Sequence, residues 1–179
     1  MNSIDPVKNV GTGGITPKPL VYSEDNFIKL IRSLQYRNPF DPLNDPAIKL
    51  IGIKDPKLVP LLIEALKDID SNIRQGAAFV LGSLYDKSSV MPLADCLKDK
   101  DLYVRATAAN SLKKLKDIRA VKPLIECLND SATEVRRSVV IALGTIGTEE
   151  AFNALKVVTN TEVDKTIRDL IQVILRRQK

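Results

Sequence analysis

The feature that most limits the folds open to this chain is a repeat of 31 residues. Asp55, Asp86 and Asp117 stand 31 apart, with Thr148 next in the series. Val59, Val90, Val121 and Phe152 keep the same spacing, as do Leu62, Leu93, Leu124 and Leu155. The register runs on through Leu66, Leu97 and Leu128, then Asp68, Asp99 and Asp130. It continues with Ile73, Val104 and Val135, with Arg74, Arg105 and Arg136, and with Leu81, Leu112 and Leu143. A one-residue insertion in the fourth unit puts Ile167 and Arg168 at the corresponding place. A unit this short cannot bury both faces of its own secondary structure, so neighbouring units must stack into a continuous core.

Each unit reads as two helices. Val59, Leu62, Ile63 and Leu66 fall at i, i+3, i+4 and i+7, one apolar stripe. Asp55 and Pro56 stand where a helix cap and a first-turn proline belong. Lys67-Asp68-Ile69-Asp70 breaks the stripe, and Asp70 or Ser71 can cap a second helix whose stripe is Ile73, Ala77, Val80, Leu81 and Leu84. Aromatics make up only 4% of the chain and Trp is absent. Aliphatic side chains and Ala must therefore fill the core, which suits closely stacked helices. The expected fold is all-α, a right-handed α-solenoid of about five stacked helix pairs.

Upstream of Asp55 the pattern weakens. Ser23, Glu24 and Asp25 are good helix-start residues, and Phe27, Leu30, Ile31 and Leu34 make an apolar stripe. Asn38-Pro39-Phe40-Asp41-Pro42 must interrupt it. Ala47, Leu50 and Ile53 then match Ala78, Leu81 and Leu84. Residues 23–54 are expected to form a degenerate capping repeat, followed by repeats at 55–85, 86–116, 117–147 and 148–179. Residues 1–22 hold Gly11, Gly13, Gly14, Pro17 and Pro19 without periodicity and are expected to be a flexible tail.

Composition removes several classes of function. The chain has no histidine, which takes away the usual general base, the usual metal ligand and every His-based triad. Its two cysteines, Cys96 and Cys127, are too few for a disulfide scaffold. They share one repeat position with Ala65 and Val158, a small buried slot; stacked helices sit roughly 8–10 Å apart, beyond disulfide reach. Gly11-Thr12-Gly13-Gly14 lacks the Gly-Lys-Ser/Thr ending of a phosphate loop. Glu149 and Glu150 stand at a helix start, where capping accounts for them. No catalytic, cofactor-binding or metal-binding residue is expected, and no enzymatic activity. No apolar run approaches the ~20 residues that span a bilayer. With Met1 as the natural start, no signal peptide is visible and a cytoplasmic location is expected; a start left by removal of a signal would void that expectation.

The net charge of +5, with a pI near 9.2, permits nucleic acid or an acidic protein as partner. Arg168, Arg176, Arg177 and Lys179, with Arg136 and Arg137, can make one positive end. Nucleic-acid binding would want more Lys and Arg on one face with aromatics beside them, and cations at a helix C-terminus also serve the dipole. Nucleic acid is therefore not the expected partner. The last helix is unusually apolar for a terminal one, through Ile167, Leu170, Ile171, Val173, Ile174 and Leu175. A homodimer through that helix is one expectation.

The segment Asp117–Gly147 carries Val121, Pro123-Leu124-Ile125, Cys127-Leu128 and Asp130, then Val135-Arg136, Ala142-Leu143-Gly144 and Ile146-Gly147. It closely resembles the short HEAT-like repeat first noted in phycobilin lyase subunits. The resemblance covers 55–179 well and 23–54 weakly. It implies a HEAT-like or armadillo-like superhelix in which the second helix of each pair lines a concave face carrying the partner-specific residues. Carried over position by position, these are Asn72, Gln75, Phe79 and Ser83; Tyr103, Ala106, Asn110 and Lys114; Glu134, Arg137, Ile141 and Thr145; and, across the insertion, Asp169, Val173 and Arg177. Phe79, Tyr103, Ile141 and Val173 are expected to offer apolar contact, and Lys114, Arg137 and Arg177 to add charge. The resemblance also makes the ladder Arg74, Arg105, Arg136 and Arg168 structural, paired with turn carboxylates such as Asp68, Asp99 and Asp130 or with carbonyls of an adjacent helix. The expected function is a non-catalytic scaffold or adaptor that binds another protein in the groove. The alternatives are an accessory subunit of an enzyme, such as a bilin lyase-type complex, and a weak nucleic-acid binder.

Overall fold

A computed structural model describes residues 23–177 except Pro39, Pro42, Leu43 and Lys54. The expected tail at 1–22 and part of the Asn38–Pro42 interruption lie outside the described residues. The chain is an all-α solenoid. Its helices are α1 (Glu24–Arg32), α2 (Pro46–Ile51), α3 (Leu58–Ala65), α4 (Ser71–Leu84), α5 (Val90–Asp95), α6 (Leu102–Leu115), α7 (Val121–Glu126), α8 (Thr133–Ile146), α9 (Glu149–Val158) and α10 (Lys165–Arg176). Among the described residues there is no strand.

The second helices α4, α6 and α10 start on a side-chain cap, whereas α8 follows Ala132 without one, its turn braced by Asp130 accepting from the Ala132 N–H. Asp70, Asp101 and Asp164 each accept from a backbone N–H two residues on, satisfying a donor the helix leaves unpaired. Two residues before each cap, a carboxylate braces the turn: Asp68, Asp99 and Glu162 accept from the N–H of Asp70, Asp101 and Asp164. The first helices α3, α5 and α7 start later than the cap pattern suggests, whereas α9 begins directly after its Thr148 cap. Asp86 and Asp117 cap short 3-10 turns at Lys87–Ser89 and Ile118–Ala120, and α5 and α7 begin only at Val90 and Val121. In the first unit Asp55 accepts from the N–H of Lys57, and α3 begins at Leu58 rather than at Pro56. A 3-10 turn is tighter and longer per residue, so the same number of residues covers the turn before the helix proper.

Leu62, Leu93, Leu124 and Leu155 are fully buried, and so are Leu81, Leu112 and Leu143, the two aliphatic stripes read from the repeat. Ala47 and Leu50 join the same cluster, which runs without a gap from Phe27 to Ile171. The second helices touch one another along much of their length, whereas the first helices meet each other only slightly. Small residues permit the close side. At Gly82 of α4 an added Cβ would lie 2.7 Å from the Cα of Ser111 on α6. The Ser111 hydroxyl donates to the Ala78 carbonyl at 2.8 Å across that contact. Gly144 of α8 makes room for Ile174 of α10 in the same way. Closer spacing on one side of the file makes α4, α6 and α8 its inner row.

The arginine ladder ties consecutive units together. Arg74 donates through Nε and Nη2 to both oxygens of Asp99, at 2.7 and 2.8 Å. Arg105 grips Asp130 at 2.7 and 2.9 Å, and Arg136 grips Glu162 at 2.9 and 3.1 Å. Each arginine also donates to carbonyls of its own inter-helix turn; Arg74 reaches those of Asp68 and Ile69. The ladder is structural as expected, with Arg168 bonded to the Glu162 and Val163 carbonyls, and the structure settles which carboxylate each of the other three takes. The carboxylate comes from the next unit, because Nη1 is already spent on the unit's own turn and the fork points onward. Cys96 and Cys127 are buried free thiols, and burial pushes Cys96 up to about 12, which leaves it un-ionised at neutral pH.

Candidate functional site: the exposed side of the inner row

The expected site residues fall on α4, α6, α8 and α10, with Arg177 just past the end of α10, and with unequal exposure. Asn72, Glu134, Arg137, Thr145, Asp169 and Arg177 are exposed, Tyr103 is 61% exposed and Val173 43%. Gln75, Phe79, Ser83, Asn110, Lys114 and Ile141 are half-buried. Ala106 departs from the pattern. It is only 6% exposed, because its short side chain does not reach past the neighbouring helices.

The half-buried members are cross-linked between helices. Gln75 on α4 donates to the Thr107 hydroxyl on α6 at 3.3 Å. Lys114 on α6 donates to the Ser83 hydroxyl on α4 at 2.9 Å. Asn110 on α6 donates to the Ser138 hydroxyl on α8 at 3.2 Å, and Lys113 donates to the Asn110 oxygen. These bonds fix the side chains of the face before any partner arrives, which lowers the ordering cost of binding.

Phe79 does not offer the open apolar contact expected of it. The Arg37 guanidinium carbon sits 3.9 Å from its ring centroid and the Lys114 ammonium 4.6 Å, two cations on one aromatic ring. Arg37 comes from the segment between α1 and α2 and is held there by Asp45, at 3.2 Å. Beside it opens a cavity of roughly 350 Å³ lined by Leu34, Gln35, Arg37, Asn72, Gln75, Phe79 and Thr107. Burial lowers the Lys114 pKa from its ordinary value, and the charges of Lys113 and Arg37 lower it further. Among the described residues Lys114 has no carboxylate within ion-pair distance.

Arg37, Lys113, Thr107 and Ser138 belong to this face and were not expected there. The repeat register could have flagged Thr107 and Ser138, which stand 31 apart in step with Gly76. Arg37 sits in the irregular stretch before α2, where no periodicity speaks.

Stacked helix pairs, an inner row of close-packed second helices and a pre-ordered polar face define a helical-repeat scaffold. The profile for HEAT repeats matches residues 37–113 and 90–175, and the chain belongs to the HEAT-repeat family. No curated protein matches it in a sequence search. Solved structures are similar to it in fold. The complex of CpcE and CpcF of phycocyanin lyase from Nostoc sp. PCC7120 matches at TM-score 0.73 and 19% identity, over 85% of this chain and 99% of that one. An engineered protein matches at 0.59 and 21%, over 85% and 78%. A computationally designed armadillo repeat protein for modular peptide recognition matches at 0.54 and 15%, over 85% and 91%. No helix among the described residues is long and apolar enough to cross a membrane.

Proposed function

We propose that this chain is a non-catalytic scaffold whose inner row grips a segment of another protein. The observation that carries the reading is the pre-ordered face of α4, α6 and α8: interhelical hydrogen bonds hold its polar members, and Tyr103 and Ile141 stand among them. A face ordered before contact suits recognition of an extended segment, which supplies the flexibility itself. A chain without histidine also lacks the most common general base. Alanine at Tyr103, Ile141 and Phe79 together is expected to lower partner capture in a crosslinking pull-down about tenfold or more, with helicity by circular dichroism unchanged. Undiminished capture removes the inner row from the reading.

The likeness to the CpcE–CpcF complex favours a second reading, an accessory subunit of a two-subunit enzyme of the bilin lyase type in which this chain supplies the binding surface. Pigment absorbance that co-purifies with the chain would support it. A homodimer through α10 is the weaker part of the proposal. Ile167 and Ile171 are fully buried in the chain's own core, so the outer apolar surface rests on Val173 with Leu170 and Leu175 half-buried beside it.

A further inference from the structure

Three cations meet on one side of the inner row. Lys114 and Arg37 lie against the Phe79 ring, and Lys113 directly precedes Lys114 on α6. Their ties differ. Arg37 spends its Nε on Asp45, itself only 2% exposed. Lys113 reaches the neutral oxygen of Asn110, and Lys114 reaches the neutral hydroxyl of Ser83. Lys114 is therefore a half-buried ammonium whose charged neighbours are cations. Arg74, Arg105 and Arg136 each receive both oxygens of a carboxylate, and Arg168 at the end of the ladder receives two carbonyls, whereas Lys114 donates to a single hydroxyl. A desolvated cation crowded by like charge costs free energy that a bound anion would recover. The cavity on the Arg37 side of the Phe79 ring gives an incoming side chain room, and Thr107 and Gln75 in its wall offer neutral hydrogen bonds.

We infer that Lys114 and Arg37 on the Phe79 ring, with Lys113 beside Lys114, form a socket for a side-chain carboxylate, so that the segment gripped by the inner row is an acidic peptide. The inference rests on the proposed scaffold function and names the chemistry of its partner. A nucleic acid fits the surroundings less well. The socket offers a base no free aromatic face to stack on, because Phe79 is half-buried and already carries two cations.

The test is fluorescence anisotropy of the full chain with a labelled peptide of alternating Glu and Ala, at low and moderate salt. Lys114→Gln is expected to weaken binding about tenfold, the loss of one charge-assisted contact in a part-buried site. Lys122→Gln, the same charge change at an exposed position on α7, is expected to weaken it less than about twofold. Equal losses in the two variants would make the attraction a property of net charge and overturn the socket, as would no binding by the unaltered chain. Tighter binding of a labelled oligothymidine than of the peptide, lost in Lys114→Gln, would assign the socket to phosphate and overturn the acidic-peptide partner. Should Lys114→Gln fail to fold, NMR titration of the lysine ammonium groups in the unaltered chain decides instead. The depressed Lys114 pKa must rise when the peptide is bound, and an unchanged value overturns the inference. The two readings fail separately. Native capture that survives Lys114→Gln but not alanine at Tyr103 and Ile141, which lie outside the socket, ends the socket and keeps the scaffold.

Discussion

At the scale of single residues the repeat forgives little where helices touch. Gly82 has the Ser111 Cβ, Oγ and Cα at 2.4, 2.5 and 2.7 Å from the place its own Cβ would take, and the last of these is backbone. Gly82→Ala must push α6 away from α4 and strain the Ser111–Ala78 hydrogen bond. It is expected to cost about 1–3 kcal/mol, the range for overpacking, read as a lower midpoint in urea with the slope unchanged. A midpoint within error of the parent would mean that the helices separate at no cost. The close approach at Gly82 was not legible, because its repeat counterparts are Lys113 and Gly144 and the register carries no unbroken small residue. Nor was the partner of Arg74. Asp68 and Asp99 stand in the same register, and spacing alone cannot say which one the guanidinium fork faces. Phe79 was legible as a face residue but not as a cation platform, since Arg37 arrives from the one stretch that the repeat does not govern.

At the scale of elements, α4, α6 and α8 all stop by the same device, and only one of them has the residue suited to it. The residues that end these helices, Tyr85, Lys116 and Gly147, take φ of 58°, 49° and 75° at the same repeat position. A left-handed backbone costs an ordinary residue roughly 1–2 kcal/mol, whereas glycine adopts it freely. Glycine also gains freedom in the unfolded chain, which returns part of the benefit. Lys116→Gly is therefore expected to stabilise the chain by about 0.5 kcal/mol, a rise of one to a few degrees in the thermal midpoint. The site is 31 residues from Gly147, so the repeat itself names the substitution, and a lowered midpoint would show that the side chain of Lys116 contributes more than its backbone costs. The second helices were legible to within a residue or two because an Asp cap announces most of them. The starts of α5 and α7 were not, because the same Asp caps a 3-10 turn or an α-helix equally well and only the packing of Val90 and Val121 into the core decides.

At the scale of the whole molecule, stability in a single-file array depends on how strongly each unit is coupled to the next. The arginine–carboxylate pairs are such couplings, since Arg74–Asp99, Arg105–Asp130 and Arg136–Glu162 each join one unit to its successor. For Asp99, Asp130 and Glu162 burial alone would raise the pKa. The hydrogen bonds from the arginine and from a backbone N–H, with the arginine's charge, outweigh it, and the net shift is downward from 3.8, 3.8 and 4.5. A carboxylate whose folded value is depressed contributes stability that is complete above its unfolded value and is lost as pH falls through the folded one. The array is therefore expected to hold its stability from neutral pH down to about 4.5 and to lose it progressively below about 4, as all three couplings weaken together. Asp130→Asn separates charge from shape. It keeps an oxygen for the Ala132 N–H but removes the ion pair with a part-buried Arg105, and is expected to cost about 3 kcal/mol at pH 7. In acid the parent's own Asp130 becomes neutral, so the gap between parent and variant must close as the pH falls below about 4. Urea unfolding across that range measures the gap directly. A gap as wide at pH 3 as at pH 7 would place the stabilising role of Asp130 in its hydrogen-bonding shape rather than in the ion pair that joins its unit to the one before.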